Sequence, residues 1–96
     1  MKKYEMMFIV KATQEAESVK ETAESVKKIV SNEKGKVLDF KELGEKKLAY
    51  TINNEINGYY YVMQFESSKE AEAEVDRKVR LNENILRHLI VNLEEE

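Results

Sequence analysis

The sequence contains no cysteine, no proline and no tryptophan, a single histidine and three glycines. Without cysteine there is neither a disulfide scaffold nor a Cys-ligated zinc site, and without proline there is no Pro-rich linker. No apolar run approaches the roughly 18 residues that a membrane-spanning helix needs. The apolar stretch 6–10 is shorter than a secretory h-region and leads into no small-residue cleavage site. These absences lead us to expect a soluble cytoplasmic protein. At 96 residues the chain makes one ordinary domain, expected over residues 1–93, with a free acidic tail at 94–96.

Against these absences stand 42% hydrophobic residues and eight aromatics, enough for a folded core. Charged residues make up 36%, with 16 Lys+Arg against 19 Asp+Glu and a net charge of -3. A plain basic nucleic-acid binder, with a pI above about 9, is not indicated by that total. The whole deficit nevertheless lies in the three terminal glutamates, so residues 1–93 are neutral, with a slight basic excess over 1–10 and 35–52. A local basic patch remains compatible with the acidic total.

Residues 3–10 are apolar and partly β-branched, which predicts a strand with Tyr4, Met6 and Phe8 on one face. From 14 to 33, Val19, Ala23, Val26 and Val30, with Ile29 beside them, recur at helical spacing. Glu15 and Glu17 near its start, and Lys27 and Lys28 towards its end, would complement the helix dipole. Gly35 suits the left-handed position that ends many helices. Residues 37–52 read as a strand with Leu48, Tyr50 and Ile52 on one face, interrupted at Gly44 by a bulge or bend. Asn57-Gly58 is a strong hairpin dipeptide, after which 59–66 read as the next strand. Ser67-Ser68-Lys69-Glu70 matches a capping box with Ser67 as the cap. A second helix follows, striped by Ala71, Val75 and Val79 with Leu81 near its end, and residues 85–93 form the last strand. The order β-α-β-β-α-β predicts an α+β, ferredoxin-like fold, a four-stranded antiparallel sheet with two helices on one face and the other face open. That fold hosts many unrelated functions and does not choose among them.

No Gly-rich phosphate loop, nucleophile elbow or metal-ligand cluster appears, so no enzymatic activity, cofactor or metal is expected. His88 lies inside the last strand and reads as structural or surface. RNA-recognition motifs share this topology and carry stacking aromatics on the third strand, where Tyr59 and Tyr61 would be the pair. Asn57, Tyr60 and Gln64 depart from that motif, and the favoured reading puts Tyr59, Tyr61, Met63 and Phe65 under the helices. The remaining signal is basic: Lys2, Lys3, Lys46, Lys47, Arg77, Lys78, Arg80 and Arg87. Singly these are solvated surface residues; gathered on one edge they would contact a phosphate backbone.

The block Glu42-Leu43-Gly44-Glu45-Lys46-Lys47-Leu48-Ala49-Tyr50-Thr51-Ile52 resembles the signature of the bacterial small-ribosomal-subunit protein six family, a Gly, basic residues and then Leu-Ala-Tyr. The opening Met1-Lys2-Lys3-Tyr4-Glu5, Gly58-Tyr59-Tyr60 and Asn84-Ile85-Leu86-Arg87-His88-Leu89 are also similar in content and position. Thr51 departs, standing where many members have Pro, which would forfeit a strand hydrogen bond. The resemblance implies a non-catalytic protein of the small ribosomal subunit. It would bind the central domain of 16S ribosomal RNA together with small-subunit ribosomal protein eighteen, as a heterodimer, during assembly. Carried onto this sequence, it makes Lys2, Lys3, Lys46, Lys47 and Arg87 candidates for RNA contact. Tyr4, Tyr50 and Tyr60 become candidates for the protein contact or the exposed part of the sheet. Two other classes stay open, an autonomous single-stranded RNA binder using Tyr59 and Tyr61, and a small-ligand regulatory domain.

Overall fold

The structure is a computed structural model that describes residues 1–12, 15–52 and 55–93. The elements are β1 (Lys2–Lys11), α1 (Ala16–Asn32), β2 (Lys36–Ile52), β3 (Glu55–Ser67), α2 (Lys69–Arg80) and β4 (Ile85–Asn92). They form one four-stranded antiparallel sheet in the order β2-β3-β1-β4. This is the expected ferredoxin-like arrangement. The expected helix start at residue 14 and the tail at 94–96 lie outside the described residues.

Strand alternation sorts the side chains. Tyr4, Met6, Phe8 and Val10 of β1 and Tyr61, Met63 and Phe65 of β3 are buried. They meet the stripes Val19, Ala23, Val26 and Val30 of α1 and Val75 and Val79 of α2. Phe8 stacks on Tyr61 with centroids 5.2 Å apart, and Tyr4 on Phe65 at 5.4 Å. Each large apolar side chain sealed here contributes about 1.5–3 kcal/mol. The expected stripes of both helices are therefore the core, except that Leu81 is 67% exposed just beyond α2.

Helix ends differ from the sequence reading in instructive ways. At the end of α1 it is Lys34, not Gly35, that takes the left-handed conformation, at φ 65°. Lys34 donates its N–H to Ser31 O and Gly35 donates to Val30 O at 2.9 Å, the two bonds of a Schellman motif. Gly35 is needed for space instead: a Cβ there would stand 2.9 Å from both Glu66 O and Val30 Cγ1. No basic residue occupies the last turn of α1, so Lys27 and Lys28 do not serve its dipole. Lys27 pairs with Glu24 at 3.0 Å and lies over the Phe40 ring. For α2 the cap is Ser68, whose hydroxyl accepts from Ala71 N at 3.0 Å, one residue later than expected. Ser67 is buried at the end of β3 and donates to Ser68 O, and the third helical position is Ala71, so there is no Glu70 box.

The hairpin is also shifted. Asn57 and Gly58 lie inside β3, and the strands close by pairing Ile52 with Glu55. Gly58 pairs with Lys46 on one side and Lys11 on the other. Its value is again space, because a Cβ would come within 2.3 Å of Ile9 Cγ2. Gly44 is the glycine used for its backbone: at φ +89° it follows an extra residue, Leu43, in the expected bulge of β2. A second extra residue, Leu38, was not foreseen.

Candidate functional site

The sheet face away from the helices is built in three rows by the strand register. Val91, Glu5 and Gln64 form one row, Leu89, Met7 and Val62 the next, and Arg87, Ile9 and Tyr60 the third. The first is polar at its centre, where Gln64 donates to Glu5 at 3.3 Å. The middle row is apolar and exposed, with Met7 42% and Leu89 61% accessible. The third carries cation and aromatic ring. Apolar residues at both parities of β1 and β4 were the available sequence signal for this face, since a strand solvated on one side alternates with polar residues.

The far end of β2 leans over the third row. From Lys47, opposite Asn57, to Ile52, opposite Glu55, β2 advances five residues while β3 advances two, so three residues bulge out of the ladder. Thr51 lies within that interruption, and a proline there would not break a regular ladder, contrary to the sequence expectation. Leu48 is only 6% exposed, and its Cδ2 lies 3.5 Å from where a Gly58 Cβ would be. Leu48 and Ile9 thus close together over the bare backbone of Gly58. Two residues further on, Tyr50 reaches Arg87, whose Cζ is 5.4 Å from the ring centroid. β2 and β4 are opposite edges of the sheet, three strand spacings or about 14 Å apart. Contact between them requires the arm to cross the open face. Lys46 Nζ stands 5.9 Å from the centroid of Tyr60 below it.

Four of the sequence candidates, Lys46, Tyr50, Tyr60 and Arg87, are therefore brought together, with Lys47 exposed beside Lys46. Lys2 and Lys3 are exposed at the opposite end of β1. Lys3 lies eight residues along the strand from the Lys11–Gly58–Lys46 level, about 27 Å at 3.4 Å per residue. Tyr4 corrects an expectation: its ring is 4% exposed and packs in the core, because it shares the parity of Met6 and Phe8. Its edge borders a cavity of about 230 Å³ with Lys2, Lys69 and Glu72. There burial and then Asp76 raise the Glu72 carboxyl above its ordinary pKa, which Lys69 partly offsets.

Tyr61 is 3% exposed and Tyr59 half-buried, both facing the helices as favoured. Burial first, then the charge of Glu42 and Tyr59, pushes the Tyr61 phenol up. A stacking pair of the RNA-recognition type is thus absent from the open face at these two positions. His88 ties β4 to α2, its Nε2 2.7 Å from Asp76 Oδ1, while Asp76 also holds Arg80. Among the described residues no cluster of His, Asp and Glu has the arrangement of a metal site.

The family model described as ribosomal protein S6 matches residues 3–92. This chain belongs to the ribosomal protein S6 family. The crystal structure of 30S ribosomal protein S6 from Thermotoga maritima resembles it with a TM-score of 0.89 at 29% identity, covering 95% of this chain and 86% of that one. In this S6-family chain the signature-like block of the sequence is the bulge at Gly44 and the arm that carries Lys46, Leu48 and Tyr50 across the sheet.

Proposed function

We propose that this S6-family protein is a structural component of the small ribosomal subunit that binds the central domain of 16S ribosomal RNA as a heterodimer with protein S18, without catalysis. The observation that carries the reading is the family match over residues 3–92. The open face supports it physically. Lys46, Lys47 and Arg87 supply exposed cations at one end of the sheet, suited to phosphate contacts that fix orientation on RNA. Lys2 and Lys3 form a second contact point at the far end. The exposed row of Met7 and Leu89, with Val91 and Tyr60 beside it, offers the apolar surface on which a protein partner gains area. Tyr4 is not among these surfaces, its ring being buried in the core.

Fractionation of cell extract on a sucrose gradient tests the broad reading, with the chain expected in the small-subunit fractions. Its detection only in free fractions overturns it. The finer reading requires purified S18 to co-elute with this chain in gel filtration and to tighten its binding to a central-domain RNA fragment. Separate elution together with S18-independent RNA affinity rejects the heterodimer.

A further inference from the structure

Of the three arginines, Arg77 is paired with Glu74 and Arg80 with Asp76. Among the described residues no carboxylate pairs with Arg87, which instead stands over the ring of Tyr50. The extra residue in β4 next to it, Leu86, shifts the register between Ile9 and Val10 and re-aims this stretch of the strand. Tyr50 itself is 60% exposed, so its ring fills no core.

We propose that Tyr50 is a positioning residue that holds the Arg87 guanidinium ready for a phosphate of RNA; the proposal rests on the RNA-binding reading above. The ring attracts the cation through its π face without accepting a conventional hydrogen bond, so the guanidinium keeps N–H donors with which to fork onto phosphate oxygens. A free arginine surrenders rotamer freedom when it binds, whereas one held against a ring has lost much of it on folding. The Leu48–Ile9 closure over Gly58 sets the arm at the height where Tyr50 meets Arg87. This residue pair comes from opposite edges of the sheet, and it exists only because the arm crosses.

The test measures binding of the full chain to a 16S central-domain fragment over a salt series at saturating S18. Tyr50→Leu is expected to weaken binding roughly two- to five-fold, the size of an exposed cation–π contact, with the salt slope unchanged. Tyr50→Phe keeps the ring and binds as the parent does. Arg87→Ala weakens binding and reduces the slope by about one, and in that background Tyr50→Leu has no further effect. A Tyr50→Leu loss that persists without Arg87, or that flattens the slope, overturns the proposal. The Arg87 Nε–H resonance in the free protein supplies an independent reading: it should shift when the ring is removed, and an unmoved signal overturns the contact. Failure of the parent protein to bind RNA at all counts against the RNA reading, and is distinguishable because the resonance test does not involve RNA.

Discussion

The two faces of the sheet are made largely by alternate residues of the same strands, yet their aromatic rings are used differently. Under the helices, Phe8 and Tyr61 stack in the buried layer, and Phe40 is tilted against both at its half-buried margin, where Lys27 lies over the ring. On the other side, the rings of Tyr60, one residue along β3 from Tyr61, and of Tyr50, on the arm of β2, meet cations in the open. Ring packs on ring in the buried layer, with a cation only at its margin, whereas on the open face the rings meet cations alone. For Tyr60 against Tyr61 the difference is parity, which a strand fixes with its period of two, and for Tyr50 it is the break in the ladder after Lys47.

The sharpest way to break the comparison is to damage the sealed face. Phe8→Ala removes a fully buried ring and should cost about 3–5 kcal/mol, a large part of the roughly 5–15 kcal/mol of a typical domain. Urea denaturation measures it. Next comes the crossing point on the open side. Gly58→Ala drives a methyl into Ile9 and should cost about 1–3 kcal/mol as overpacking does. Combining it with Ile9→Ala should return part of that loss, a non-additivity that a double-mutant cycle on the same denaturation curves reads directly.

A smaller effect separates the faces by pH. The Tyr61 phenol is raised above its unfolded value by burial, so the folded state prefers it protonated. Its contribution is fully present below the unfolded phenol's pKa of about 10 and is lost as pH climbs towards the folded value. Stability of the parent should fall more steeply above about pH 10 than that of Tyr61→Phe; equal slopes there would remove Tyr61 as the cause. Smallest for stability is the double change Lys46→Ala and Lys47→Ala. Both residues are exposed, so the denaturation midpoint should stay within the equivalent of about 0.5 kcal/mol. RNA binding should nevertheless weaken with a flatter salt dependence, and an unchanged affinity and slope would reject these lysines as contacts.

Much of this was legible in the sequence, where local periodicity and long-range structure agree. The buried parity of β1 and both helix stripes follow from spacing alone, and the Gly44 bulge from one glycine inside a strand-like run. Gly35 and Gly58 misled because glycine answers two needs, positive φ and lack of a side chain, and sequence does not separate them. At both positions the need was room for a neighbouring residue distant in sequence, Glu66 or Ile9. Tyr4 could have been assigned correctly, since its own strand alternation already grouped it with Met6 and Phe8. The meeting of Tyr50 with Arg87 could not, because it depends on three unpaired residues between Lys47 and Ile52 and on the sheet order.

The outer edge of β2 has a further consequence. A 17-residue edge strand presents a long row of unsatisfied backbone groups to which another chain could add. Leu38 and Leu43, each inserted without a partner on β3, break that row into short stretches of different pitch. Irregular backbone geometry at these two inserted leucines works against strand addition along this edge.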